Sequence, residues 1–385
     1  MTKKNDIPDG LKDAFKALDK LNEDSALLSE NSLSVVNEYI DTGSMALNAI
    51  ISGSLYKGVP KGRIIGLAGP TGSGKTLILN KIIANAQKKD PNVWGVVWDS
   101  ENAYNSHMAI NVGANPNKIK VNPVATVEEC RNQIVTFLDK IVTDPSLYGK
   151  IIIGIDSLGN LASTKEIADA VQGKDAVDMG TRAKALKSMM RVLTYKCAKT
   201  NTTLLFLNHL YDDPACMFPS LIKNQSGGKG LLYLASVLIQ LAVTQEKIEL
   251  NDSDEFIPMT NKIKGVNLRA LTVKNRFIPQ MLQTSMYLNF RTGLYKYSGL
   301  LEMAEAYNII HKEGNSYVST LTNERLGFKK AFRNDDEIWE THILPELEKV
   351  IQKNLMYSSE ANELTKEVDE LSDELSDGKN TIKKD

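Results

Sequence analysis

Gly69-Pro70-Thr71-Gly72-Ser73-Gly74-Lys75-Thr76 fits G-x-x-x-x-G-K-[ST], and its flanks decide what it is. Arg63 to Ala68 reads as a buried strand and Leu77 to Lys88 as a helix, which puts the motif on a strand–loop–helix turn. There the glycines let successive backbone N–H groups converge on phosphate oxygens. Lys75 reaches the terminal phosphates, and the Thr76 hydroxyl stands at the helix N-terminus as a magnesium ligand.

Strand-like and helical patterns alternate beyond the motif. Strands are expected at Asn92 to Asp99, Lys118 to Asn122, Lys150 to Ile155, Thr203 to Asn208 and Val237 to Val243, with helices at Val127 to Val142 and Met179 to Lys199. The pattern predicts an α/β fold: a twisted, mostly parallel sheet covered by helices, with a nucleotide at the carboxyl ends of the strands. Lys262 to Asn275 and Ser285 to Phe290 extend the sheet. Residues 1–40 read as an arm, with an amphipathic helix around Leu11, Phe15, Leu18 and Leu21 and a strand at Ser34 to Ile40. Residues 41–297 form the core. Helical patterns at Tyr297 to Ile310 and Glu337 to Leu355 predict a small α-rich subdomain over 298–357, before an acidic tail at 358–385.

At 385 residues and 42% hydrophobic, the chain can bury a sizeable core. It has no apolar run near the ~20 residues that span a bilayer, and Met-Thr-Lys-Lys opens no signal peptide, so a cytoplasmic location without membrane contact is expected. Cys130, Cys197 and Cys216 are too far apart for a C-x-x-C site and read as buried thiols, and the four histidines lack metal-ligand spacing. Eight acids against Lys366 give the stretch from Glu360 to Asp377 a charge of −7, which leaves +6 on the rest of a chain whose net charge is −1. Two readings of the tail stand, a polyanion that competes with nucleic acid and a solubilising segment.

Further carboxylates fall at strand ends. Asp156, closing the Lys150 to Ile155 run, has the form of a Walker B acid that holds Mg²⁺. Glu101, just beyond Asp99, can orient a water in line with a γ-phosphate and take its proton; the plain alternative is a solvated acid. His209 ends another buried strand, as a γ-phosphate contact or as a polar cap. Lys184, Lys187 and Arg191 recur at i, i+3, i+7 and share one helix face, where they can follow phosphates or simply face water. Lys223 and Ser226-Gly227-Gly228-Lys229 add cations and backbone N–H groups. Few aromatics accompany them, which fits sequence-independent backbone binding.

Together these residues resemble the RecA family of recombinases, and within it the phage UvsX branch. The likeness rests on Asp41 to Ile51, Gly58 to Ile65, the P-loop, Asp156 to Ser163, Met179 to Lys184 with Lys187-Ser188, Ser226 to Gly228, Val273 to Arg276 and Tyr297 to Met303, roughly residues 40–320. It implies an ATP- and Mg²⁺-dependent, DNA-stimulated ATPase that forms a filament on single-stranded DNA and exchanges strands with homologous duplex, in a host cytoplasm if phage-encoded. It makes residues 1–40 an oligomerisation arm. Glu101 matches the water-activating glutamate and His209 the nucleotide sensor. Asp169 to Met179 and Leu210 to Gly228 match the two DNA-binding loops, with Met179 at the end of the first. Lys274 and Arg276 match cations that reach the neighbouring subunit's ATP. The family places an aromatic ring for adenine seven residues after the glutamate; Met108 stands there. Mediator or single-strand-binding proteins would meet the tail. Two rivals use the same motif: a ring-forming helicase or loader, which electron microscopy would reveal, and an ATP-switched mediator, which needs no general base.

Overall fold

The computed structural model describes residues 7–27, 33–174, 180–211, 222–225, 230–247, 263–289, 293–329, 332 and 335–355. Its strands are β1 (Tyr39–Ile40), β2 (Val59–Pro60), β3 (Ile64–Ala68), β4 (Trp94–Asp99), β5 (Ile119–Pro123), β6 (Ile151–Asp156), β7 (Thr203–Asn208), β8 (Leu210–Tyr211), β9 (Asn224–Gln225), β10 (Val237–Lys247), β11 (Ile263–Asn275), β12 (Gln283–Asn289), β13 (Gly293–Leu294), β14 (Ile310–Glu313), β15 (Ser316–Ser319) and β16 (Arg325–Phe328). The helices are α1 (Asp9–Leu21), α2 (Met45–Ser52), α3 (Lys75–Lys89), α4 (Ser106–Ile110), α5 (Val127–Val142), α6 (Thr164–Val171), α7 (Thr181–Lys199), α8 (Gly230–Leu234), α9 (Leu300–Ala306) and α10 (Leu344–Leu355).

Nine strands form one sheet in the order β13-β12-β11-β10-β3-β7-β6-β4-β5. The six from β10 to β5 are parallel, and β11, β12 and β13 continue antiparallel. The alternation of a strand decides which helix covers which face. Ile65, Leu67, Leu205, Leu207, Ile239 and Leu241 pack with Ile78, Leu79, Ile82 and Ile83 of α3. Their neighbours Ile64, Leu204, Phe206 and Leu238 face the other way, onto α5 and α7. Helix α5 begins where the Thr126 side chain accepts the Glu129 N–H, and it buries Val127, Cys130, Ile134, Leu138 and Ile141. Cys130 and Cys197 lie in this second layer, and burial raises both thiols to about 12, which suits inert core residues. Cys216 lies outside the described residues.

Two expectations change. The strand expected from Ser34 shrinks to Tyr39–Ile40, because the Arg63 guanidinium takes the Leu33 and Ser34 carbonyls at 2.8 and 2.9 Å. The C-terminal subdomain also holds a three-stranded antiparallel sheet, β14-β15-β16, between α9 and α10. Gly314 at φ 62° and Asn315 form the two-residue turn between Glu313 and Ser316, a hairpin signal between the two runs read as helices. This subdomain shares its core with α2. Met45, Ala46, Ala49 and Leu55 pack with Tyr297, Leu300, Tyr317 and Trp339, and Tyr297 stacks on Trp339 at 5.0 Å. The Glu348 carboxylate of α10 accepts the Ser54 hydroxyl at 2.5 Å and the Leu55 N–H at 2.6 Å, riveting the two together.

Helix α1 forms as expected but buries none of its residues, leaving Leu11, Leu18 and Leu21 exposed. Just after it, Glu23 and Asp24 meet Lys199 at the end of α7. No helix among the described residues is long and apolar enough to cross a membrane.

Candidate nucleotide and DNA site

The loop between β3 and α3 lies at the carboxyl end of the parallel strands, where α/β sheets bind ligands. Two of its glycines have positive φ, Gly72 at 79° and Gly74 at 74°, a conformation side chains resist. At Gly69 a Cβ would stand 2.6 Å from Ser73 Oγ, so the turn closes only with glycine. The loop is braced by Ser73 Oγ donating to the Pro70 carbonyl at 2.8 Å and by the Gly69 N–H donating to Asn208. Lys75 folds back over it, its Nζ donating to the Gly69 and Pro70 carbonyls at 2.9 and 3.0 Å. Burial lowers its pKa, although the charges of Asp156 and Glu101 pull the other way.

Thr76 opens α3 and donates its hydroxyl to Asp156 Oδ2 at 2.7 Å, across 80 residues of sequence. Asp156 is 8% exposed, and burial pushes its carboxyl up to about 6, helped by Glu101 and Asp99 and opposed by Thr76 and Lys75. A hydroxyl and a carboxylate at hydrogen-bond distance suit Mg²⁺, which takes few protein oxygens and completes its shell with water and phosphate. Among the described residues no cluster of three His, Cys, Asp or Glu forms a metal cage.

Because β4 lies two strands from β7, Glu101 and His209 meet at the ends of those strands. His209 Nε2 stands 3.2 Å from Glu101 Oε1, which also accepts from Asn160 Nδ2 at 3.1 Å. Burial raises the Glu101 pKa, but the His209 contact and the Lys75 charge outweigh it and hold the carboxyl below its usual range. It is a carboxylate at neutral pH, with one face against His209 and about a third of its side chain exposed.

Lys274 and Arg276 lie elsewhere. Leu238 is flanked by Gly66 of β3 on one side and Lys274 on the other, and the Arg276 N–H bonds Ser236, whose own N–H bonds Ile64. Arg276 therefore stands level with the start of β3, the end opposite the P-loop, and Lys274 level with its middle, its amine turned to Tyr233 before β10. Both donate to the Tyr233 carbonyl, at 2.6 and 3.2 Å. Burial, then the Arg276 charge, lowers Lys274 to about 8.

Lys184, Lys187 and Arg191 are exposed on α7, whose opposite face buries Leu186, Met189, Met190 and Leu193. The backbone of Lys223 is held by Gln240, which donates to its carbonyl at 2.9 Å and accepts its N–H at 3.1 Å. Gln240 pairs in register with Ala68, the residue before the P-loop. The loop expected from Asp169 starts later, because α6 runs to Val171 behind a Ser163–Glu166 capping box. Met179, Gly227, Gly228 and Lys229 lie outside the described residues, and of the second loop only Leu210–Tyr211, Ile222 and Lys223, and Asn224–Gln225 are described, with β8 and β9 paired antiparallel. Met108 sits half-exposed on α4.

Sequence reasoning passed over several residues of this site. Asn160 contacts Glu101, and Arg182 staples the turn after Asp156 through the carbonyls of Leu158, Gly159 and Leu161. Asp99, Asn80 and Tyr104 surround the Glu101 loop. Only Asp99 carried a signal, as the first acid of Asp99-Ser100-Glu101.

The RecA N-terminal domain family matches residues 9–295. Among similar proteins, the recombination and repair protein of Enterobacteria phage T4 is 28% identical over 295 residues, 75% of this chain and 70% of its own length. Protein RecA of Chlorobium chlorochromatii is 26% identical over 316 residues, covering 81% and 82%. Protein RecA of Paenarthrobacter aurescens is 28% identical over 323 residues, covering 83% and 84%.

Proposed function

We propose that this chain, which belongs to the RecA family, is an ATP-dependent homologous recombinase that assembles on single-stranded DNA and exchanges it into homologous duplex. The family membership and the recombinases similar to it support the activity. The observation that carries the assembly is the split site: a P-loop with Glu101 and His209 at one end of the sheet, and Arg276 with the Lys274 amine turned toward the other. A head-to-tail stack brings one subunit's cations to the next subunit's nucleotide.

In this reading the P-loop backbone and Lys75 cradle the phosphates, and Thr76 and Asp156 hold Mg²⁺. When bound, the metal offsets phosphate charge. Glu101 Oε1 accepts the proton of a water attacking the γ-phosphorus, and Lys274 and Arg276 of the adjacent copy neutralise the charge that develops. His209 contacts both Glu101 and, with ATP present, the γ-phosphate. It begins the segment that returns through Lys223, so the nucleotide state is passed to the DNA loop. Lys184, Lys187, Arg191 and Lys223, with Met179, Gly227, Gly228 and Lys229, follow the DNA backbone. The N-terminal arm, with the exposed apolar face of α1, joins subunits, residues 41–297 form the catalytic core, and the acidic tail from residue 358 competes with DNA or meets mediator proteins.

ATP hydrolysis with and without single-stranded DNA, at fixed magnesium, tests the reading. Strong stimulation by DNA is expected. Equal rates would return the chain to a DNA-independent switch.

A further inference from the structure

We infer that Tyr104 is a positioning residue for Glu101, fastening the loop that carries it to the P-loop helix through Asn80. The inference rests on Glu101 being the base that activates water. Asn80 lies inside α3, fully buried, where an amide is costly unless it is hydrogen-bonded. Its carbonyl oxygen accepts the Tyr104 hydroxyl, and its amide nitrogen has no partner among the described residues. Tyr104 is thus the one group the Asn80 side chain bonds there.

The geometry of the helix gives this bond its meaning. Asn80 follows Thr76 by four residues, one turn, so the two share a face of α3. Thr76 reaches from that face to Asp156 and Asn80 to Tyr104. One rigid helix therefore indexes both the metal-side carboxylate and the loop of the base.

The loop itself is bracketed at both ends. Buried Asp99 accepts the Glu101 N–H on Oδ1 at 2.9 Å and the Tyr104 N–H on Oδ2 at 3.0 Å. Between them Asn102 turns the chain with φ 54°. Ser100 roots the near end at the end of β6, its N–H donating to the Asp156 carbonyl at 2.8 Å and its hydroxyl to the Ser157 carbonyl just beyond at 2.7 Å. At the far end the Tyr104 hydroxyl bonds α3 directly, and just beyond it α4 packs on the same helix through Ala109 and Ala84. Burial, with Asp156 and Asp99 nearby, pushes the phenol above its ordinary pKa and keeps it a donor. Loss of the hydroxyl leaves the Asp99 bonds and the α4 packing in place and removes the loop's own bond to α3, which loosens Glu101 relative to the phosphates without touching them.

The test uses the full chain with Tyr104→Phe, Glu101→Gln and their combination, measuring DNA-stimulated ATP turnover and, by calorimetric titration, ATP affinity. Tyr104→Phe should lower kcat about tenfold, equivalent to about 1.4 kcal/mol, with the ATP Kd within about twofold. In the Glu101→Gln background it should cost nothing further. Asn80→Leu removes the acceptor from the other side and should reproduce the kcat loss. A wild-type rate in Tyr104→Phe or Asn80→Leu, or an equal further loss in the Glu101→Gln background, overturns the link. A wild-type rate in Glu101→Gln instead removes the base assignment, and the inference falls with it.

Discussion

Asp156→Asn should make the nucleotide-free protein more stable and the enzyme inactive. Burial raises the Asp156 pKa from 3.8 to about 6. A raised carboxyl contributes its stability below the unfolded value and loses it as pH rises through the folded one, so at neutral pH the ionised group costs the fold. About two units at 1.36 kcal/mol each puts that cost on the order of 3 kcal/mol. Asparagine keeps the shape and a carbonyl oxygen for the Thr76 hydroxyl, and carries no charge. With an unfolding entropy of about 2.1 cal/mol/K per residue over this chain, the gain corresponds to roughly 4 °C in Tm. Thermal melts in a metal chelator between pH 4.5 and 8 would read it: the gap between variant and wild type should open through pH 6 and level off above pH 7. Mg²⁺ and ATP should then stabilise the wild type and leave the variant unmoved. A gap of the same size at every pH, or a variant less stable at pH 8, would refute the reasoning.

Other outcomes follow from the same geometry. Lys75→Ala should abolish ATP turnover, since Lys75 is the P-loop's phosphate cation; a wild-type rate would remove the P-loop assignment. Glu101→Gln should bind ATP normally and lose about 10²–10⁴ in turnover, leaving long-lived filaments in electron micrographs; rapid disassembly would count against a base at this position. Because Lys274 sits near pKa 8, lowered by burial and Arg276, DNA-dependent assembly with ATP should weaken as pH rises through 8 and the amine loses its charge. Lys274→Arg should abolish that limb, and an unchanged pH profile would argue that the lysine meets no nucleotide. Replacing Lys184, Lys187 and Arg191 together with alanine should flatten the slope of log affinity against log salt by about 2, at about 0.7 per single-strand phosphate. An unaltered slope would return this helix face to solvent.

Local chemistry explains what could be read from the chain. The P-loop, its strand and its helix are neighbours in sequence, and buried parallel strands such as Ile151–Asp156 are short apolar runs with a polar end. Strand-end acids can be picked out one at a time, and the fold then sets Glu101 beside His209 across 108 residues. Pairings through the interior left no periodic trace. Asn80 and Tyr104 look like ordinary helix and loop residues until α3 and the end of β4 are placed side by side. The C-terminal sheet was missed for a different reason. Ser316–Ser319 is buried along its whole length, so its strand lacks the alternation that marks a half-exposed one. Gly314-Asn315 was the available cue.

The account's central claim is recombination, and the most direct test is strand exchange: labelled single-stranded DNA, the protein with Mg²⁺ and ATP, and a homologous or an unrelated duplex. It predicts joint molecules with the homologous duplex alone, dependent on ATP and lost in Lys75→Ala. DNA-stimulated hydrolysis without joint molecules, or pairing indifferent to homology, would contradict it.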